Sequence, residues 1–243
     1  METILIQLND VRKSGRMDYD FYDPNHKTIT DKMVKGYTTD KLENVCLKIN
    51  TGKTAPRDSY PDEGVRIIKV KNISGNGIKW GERKFVTEEF YEKAQKKAQV
   101  QVGDILMLCS AHSKIYIGRA DIIDAFPKDV KDDGSRCCCV GELIIIRANP
   151  EKILPKYLIT FLRLPIVQEQ IKRMVKGQSA HLYPKDLAKL DVVLPPTKVQ
   201  EEIANLNHKA ENEFLKNMKE VNDSLNMTRS KIEGIIMNGK SKN

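Results

Sequence analysis

Long apolar runs are missing from this 243-residue chain. Nothing approaches the roughly 18 to 20 continuous apolar residues that cross a bilayer. The opening stretch Met1 to Asp10 has no basic region followed by an apolar core, so a cytoplasmic protein with no membrane role is expected. Cysteine is scarce and poorly arranged for metal or disulfide chemistry. Five residues, three of them adjacent at Cys137, Cys138 and Cys139, form neither an even disulfide framework nor a C-x-x-C pair, and they read as reduced thiols. There is no internal repeat, no low-complexity linker and no Pro/Gly/Ser-rich stretch before residue 195. What remains, 40% apolar residues with one Trp and a mean hydropathy of −0.48, describes a soluble chain long enough for one large domain or two modest units. A miniprotein, a collagen-like chain and a fully disordered polymer are excluded.

Charge is unevenly placed. Lys and Arg number 41 against 33 Asp and Glu, a net +8 with a pI near 9.1, which suits a polyanionic partner. The segment Thr197 to Asn243 carries eight basic and seven acidic side chains, so nearly all of the surplus lies upstream. The expected organisation is a leader at 1–37, a globular domain at 38–196, a long helix at 197–237 and a flexible tail at 238–243.

Runs rich in branched residues predict strands at Asn44 to Ile49, Val65 to Lys71, Asp104 to Cys109, Ile115 to Ile123 and Cys137 to Arg147. Helices are predicted at Glu88 to Lys97 behind a Thr87 cap, at Lys156 to Arg163 after Pro155, and at Ile166 to Lys176 after Pro165. The result is a mixed α/β domain, not a simple βαβ repeat. Thr197 with Gln200 has the form of a capping box and predicts the start of a long helix. Apolar residues then recur every three or four positions at Val199, Ile203, Leu206, Ala210, Phe214, Met218, Val221, Leu225, Ile232 and Ile236, with Thr228 in the one gap. A helix of about 40 residues runs on the order of 60 Å, longer than a small domain, so its stripe is expected to pair as a coiled coil, the alternative being that it folds back over the domain.

Most catalytic arrangements are missing. Gly52-Lys53-Thr54 resembles the end of a P-loop, but Leu47 occupies the position of that motif's first Gly. Gly75, Gly77 and Gly81 have the wrong last spacing for a dinucleotide turn and read as a mobile turn. Tyr22-Asp23-Pro24-Asn25 lacks the second Pro and the aromatic of an amino-methyltransferase loop. His26, His112, His181 and His208 are scattered, so no metal site is expected. No G-x-S-x-G elbow exposes Ser110, Ser113 or Ser179. The adjacent cysteines read as buried strand packing. One arrangement survives as a rival: Asp62 and Glu82 to hold Mg²⁺ with Lys84 to steady water, the order of a metal-dependent nuclease.

Several segments resemble, in order and spacing, the DNA-specificity subunit of type I restriction-modification systems. They begin with Leu42-Glu43-Asn44-Val45, Ile49-Asn50-Thr51-Gly52-Lys53-Thr54-Ala55-Pro56, Val65 to Ile73 and Val102-Gly103-Asp104-Ile105-Leu106. They continue with Gly118-Arg119-Ala120, Gly141 to Arg147, Tyr157-Leu158, Gly177-Gln178-Ser179, and Leu194-Pro195-Pro196 with Gln200 and Ile203. Arg16-Met17-Asp18-Tyr19 with Tyr22-Asp23-Pro24 resembles a leader found on some members. The resemblance implies a mixed α/β target-recognition domain that reads about half of a bipartite DNA site, followed by a spacer helix. It also implies modification subunits that methylate adenine and a motor-nuclease restriction subunit as partners, with no cofactor and no catalytic residue in the chain itself. A usual subunit has two domains and two helices; this sequence has one of each. Either two copies pair, implying a symmetric site, or a second half-subunit completes the reader.

Turn cations that could reach phosphates are Lys53, Arg57, Lys69, Lys71, Lys79, Arg83, Lys84, Lys114, Arg119, Arg136, Lys176 and Lys185, with Thr54 beside them. Candidate base readers are Asn72, Asn76, Arg57, His112, Arg136, Gln178 and His181, since paired donors and acceptors distinguish base edges. Ser179 could face a phosphate, and Trp80 is either a stacking surface or a packed loop anchor. The readings from other classes are the Mg²⁺ nuclease and a coiled-coil adaptor that binds no DNA.

Overall fold

The computed structural model describes residues 5–14, 36–57, 60–128, 130, 136–177 and 179–239. Most of the expected leader, the side chains of the expected tail and the candidate Gln178 lie outside the described residues. Two compact units are present, Met1–Glu201 and Glu202–Asn243.

Within the first unit the elements run α1 (Leu8–Ser14), β1 (Thr38–Lys41), α2 (Leu42–Val45), β2 (Cys46–Thr51), β3 (Val65–Ile68), β4 (Phe85–Val86) and α3 (Glu88–Ala98). They continue with β5 (Ile105–Leu108), β6 (Ser110–Ala111), β7 (Ala120–Ile122), β8 (Cys137–Cys139), β9 (Leu143–Ala148), α4 (Pro155–Arg163), α5 (Pro165–Met174), β10 (Ala180–His181), α6 (Pro184–Leu187) and β11 (Asp191–Leu194). Helix α7 (Thr197–Gly239) closes the order. The largest sheet is antiparallel, in the order β2-β9-β5-β7. A second runs β4-β3-β8, with β3 and β8 parallel. Two small pairs, β1 with β11 and β6 with β10, tie the ends of the domain and one of its loops.

Continuous apolar runs account for the strands. Val65 to Ile68 and Cys137 to Cys139 are buried at every position, as expected for paired strands covered on both faces. The cysteines are free thiols and pack as small apolar groups. Ile67, Ile68, Leu106, Leu143 and Ile145 join them in the core. Thr87 caps α3 by accepting from the Phe90 amide at 3.2 Å, and Pro155 and Pro165 open α4 and α5.

Several predicted boundaries are corrected. Asn44 and Val45 are helical, so β2 begins at Cys46. The run Val65 to Lys71 turns into a 3₁₀ turn at Val70–Asn72, and Ile115 lies in another at Lys114–Tyr116, well before β7. Cys137 to Arg147 is two strands broken at Val140-Gly141-Glu142. The capping box does not form. The Gln200 amide donates to Pro196 O at 3.1 Å, and the Gln200 side chain accepts from Leu154 N at 3.0 Å and donates to Pro195 O at 2.9 Å. Gln200 therefore anchors the first turn of the helix to the segment before α4.

In the second unit, α7 continues as one helix with Leu206, Phe214, Met218, Val221, Leu225, Ile232 and Ile236 exposed. From Phe214 the four-three step through Met218, Val221, Leu225, Thr228 and Ile232 leads to Ile235, which is 73% exposed, beside the exposed Ile236. Thr228 satisfies its hydroxyl on Ser224 O at 3.0 Å, which lets a polar residue sit in the stripe.

Candidate nucleic-acid interface

Strand register determines where the loops emerge. Thr51 at the end of β2 pairs with Ile144 at the start of β9, Leu143 pairs with Leu108 at the end of β5, and Met107 pairs with Ala120 at the start of β7. The segments after β2, after β5 and before β9 thus open at one end of the sheet. Parallel pairing of Ile68 with Cys139, and the Val140 N bond to Ile68 O at 3.1 Å, bring the segment after β3 to that same end. Pairing of β6 with β10 adds the turn Lys176 to His181, itself closed by reciprocal backbone bonds of 2.8 and 3.0 Å between those two residues.

That end carries Lys53, Thr54, Arg57, Lys69, Lys71, Asn72, Asn76, Lys79, Trp80, Arg83, Lys84, His112, Lys114, Arg119, Lys176, Ser179 and His181. Arg136 lies apart from them, before β8 at its other end, where it pairs with Glu88. Lys185 sits in α6. Gly177 and Ser179 lie between α5 and β10.

Not every candidate is free to meet a ligand. Asn72 is buried. Its Oδ1 accepts from Lys69 N at 2.8 Å and its Nδ2 donates to Lys79 O at 2.6 Å and Glu82 O at 3.2 Å, so its amide is consumed in shaping the loop. Trp80 is half-buried against the core, 5.9 Å from the Phe126 ring, and the Arg66 guanidinium lies 5.5 Å over it. Arg66 also donates to the Trp80 carbonyl, so this Trp is engaged as a loop anchor. Lys71 faces Glu82 at 3.4 Å and Lys176 faces Asp186 at 2.8 Å. Lys69 stands over the Tyr60 ring at 4.3 Å, and Arg119 over Tyr116 at 5.2 Å.

Between the loops is a recess of about 230 Å³ lined by Thr54, Tyr60, Lys69, Val70, Lys71, Asn72, Glu82, Lys84, Val140 and Glu142. Thr54 Oγ1 donates to Glu142 at 2.7 Å and accepts from Gly141 N at 2.9 Å, closing one wall. Gly52 makes that closure possible, because a Cβ there would lie 2.2 Å from Cys139 O and 2.5 Å from Val140 O. Burial holds the Tyr60 hydroxyl above its ordinary pKa.

Glu82 and Lys84 line the recess, whereas Asp62, on the segment leading into β3, is not part of its lining. Among the described residues no three His, Cys, Asp or Glu side chains are grouped to hold a metal, and no helix is long and apolar enough to cross a membrane. Burial pushes the Cys109 and Cys138 thiols up to about 12 and raises Cys139 well above the ordinary range, far from a nucleophile's poise.

Two features escaped the sequence reading. Asp121, wholly buried on β7, accepts from the amides of Ser74, Gly75 and Gly77 at 2.7, 3.0 and 2.8 Å and meets Arg163 at 2.6 Å. The glycine turn is therefore pinned, not mobile. A carboxylate in the otherwise apolar strand Ala120-Asp121-Ile122 is the signal that could have revealed it. The second is the exposed pair Ile115 and Tyr116 beside Lys114, hidden by reading that stretch as strand.

Comparison with known proteins gives a consistent result. The family described as "Type I restriction modification DNA specificity domain" matches residues 35–227. A solved structure from work on complex assembly and conformational transition of the type I R-M system is similar at 15% identity and TM-score 0.55, over 85% of this chain and 49% of that one. The crystal structure of the HsdS subunit from Thermoanaerobacter tengcongensis is similar at 15% identity and TM-score 0.52, over 84% of this chain and 45% of that one. The chain thus spans about half the length of the solved chains it resembles, and the likeness is one of fold. No curated protein matches it.

Proposed function

This chain belongs to the family of type I restriction-modification DNA-specificity domains, and from that premise we propose that it is the sequence-reading subunit of an adenine-methylating complex. Its α/β domain reads half of a bipartite duplex site and performs no methyl transfer itself. The observation that carries this reading is the convergence of the cation-bearing loops after β2, β3 and β5 at one end of the domain, where Lys53, Lys79, Lys84 and their neighbours can meet phosphates while other turn residues reach base edges. Modification subunits carrying the methyl donor, and a motor-nuclease subunit, are its partners in the cytoplasm. The exposed stripe of α7 supports pairing with a second such helix, from another copy or from a half-subunit, which brings a second reading domain to a set distance.

The test is to mix the purified chain with its host's adenine methyltransferase subunit and a random-sequence duplex library, then sequence what becomes methylated. The expected result is a two-part motif with a constant gap that appears only when the chain is present. A palindrome assigns self-pairing and an asymmetric motif assigns a second half-subunit. Absence of both motif and complex overturns the reading.

A further inference from the structure

The loop Ser74-Gly75-Asn76-Gly77 is held more firmly than an exposed turn needs. Asp121 is fully buried, and its two oxygens take three backbone amides from four consecutive residues. Arg163 neutralises it at 2.6 Å and also donates to Ala120 O at 3.1 Å. Gly75 and Gly77 have φ of 90° and 111°, conformations that side-chain-bearing residues rarely adopt. Ser74 Oγ accepts from Asn76 N at 3.0 Å and donates to Gly77 O at 2.7 Å, closing the loop on itself. Burying a carboxylate and a guanidinium is costly, and here its product is the defined shape of a loop on the surface.

What that loop presents is one side chain. Asn76 is exposed, and its carboxamide has no partner among the described residues. Beside it, a Cβ on Gly75 would lie 3.5 Å from Cγ of Arg119, so the Arg119 stem runs along the loop. The Arg119 guanidinium rests over Tyr116 and is exposed. Asn and Arg carry paired hydrogen-bonding groups that match adenine and guanine edges in the major groove, and such readout requires placement to within about 0.5 Å.

We propose that Asn76 and Arg119 read adjacent base edges of the half-site, and that Asp121 is the positioning residue that sets their geometry by clamping the 74–77 loop. This rests on the DNA-recognition reading above and names which loop carries its specificity.

The experiment selects bound sequences from a randomised duplex library with the full chain and with Asn76→Ala, Arg119→Ala, Gly77→Ala and Asp121→Asn. A Cβ on Gly77 meets nothing within 4 Å, so that variant perturbs the loop backbone alone and decides the matter even if Asp121→Asn fails to fold. The expected result is a motif that becomes degenerate at the same one to three neighbouring positions in Asn76→Ala, Gly77→Ala and Asp121→Asn, and at an adjoining position in Arg119→Ala. Discrimination there should fall on the order of ten- to a hundredfold while the dependence of affinity on salt is unchanged. A loss of affinity spread evenly over all sequences, or an unaltered motif in Arg119→Ala or in Asn76→Ala and Gly77→Ala, overturns the inference and leaves DNA recognition standing. An unaltered chain that enriches no motif overturns both.

Discussion

Arg147 grips the wholly buried carboxylate of Asp104 with two hydrogen bonds, Nε to Oδ1 at 2.7 Å and Nη2 to Oδ2 at 2.8 Å. This joins the segment entering β5 to β9 at the end of the sheet opposite the cationic loops, and Asp104 also accepts from Gln101 N at 2.9 Å. The bond to Asp104 raises the guanidinium's pKa. Asp104→Ala leaves that charge without its partner in a mostly buried setting and should cost about 3 kcal/mol. The half-exposed pair Lys41 and Asp191, at 2.6 Å, should cost under about 1 kcal/mol when Asp191 becomes Ala. Urea denaturation of both variants checks the ordering, and equal losses would refute it.

How much of this was legible in the sequence follows from how local each feature is. Pro155, Pro165 and Thr87 are starts that a short window holds, and α3, α4 and α5 begin where they indicate. The cationic turns were visible too, because Gly and polar clusters break the apolar runs around them. Their common placement was not, since it depends on register between residues as distant as Thr51 and Ile144. Pairing of Thr38 with Leu194, and of Asp121 with the Ser74 to Gly77 amides, leaves no periodic trace in either partner. Asn72 looked like a base reader for the same reason: its type was visible, its burial was not.

Phosphate contact makes a quantitative demand on the exposed cations. Lys79 is exposed at the end where the loops gather, whereas Arg136 pairs with Glu88 at the other end of β8. Lys79→Ala should weaken binding to all duplexes alike and reduce the slope of log affinity against log salt by about 1, with Arg136→Ala leaving the slope unchanged. Titrations at several salt concentrations measure both. If Arg136 changed the slope and Lys79 did not, the interface would lie at the wrong end of the domain.

The thiols give a pH test. Burial raises Cys109 and Cys138 from an ordinary 9.0 to about 12, so at pH 8 their thiolate populations are lower by about a thousandfold. Iodoacetamide should therefore modify the native chain far more slowly than the denatured one, and the native rate should keep rising past pH 9, where a free thiol levels off. The folded pKa lies above the unfolded value, so the stability these thiols contribute is intact below pH 9 and is lost as pH climbs toward 12. Rapid native labelling of Cys109 or Cys138 at pH 8, located by peptide mapping, would show that those two thiols are not buried.

The helix prediction turns on one residue. Phe214 begins the four-three step that continues through Met218, Val221, Leu225, Thr228, Ile232 and Ile235, with Thr228 its one polar position, and these side chains are exposed along α7. Burying one such aromatic against a second helix is worth about 1.5 to 3 kcal/mol, and a carboxylate in its place forfeits that and adds desolvation. Phe214→Glu should thus raise the dissociation constant of a paired assembly at least on the order of tenfold. Glu213→Gln, one residue off the stripe, should leave it unchanged. Light scattering across a dilution series distinguishes them. A Phe214→Glu chain that stays associated at the same concentrations as the unaltered protein would mean that the stripe is covered by something other than another helix of its kind.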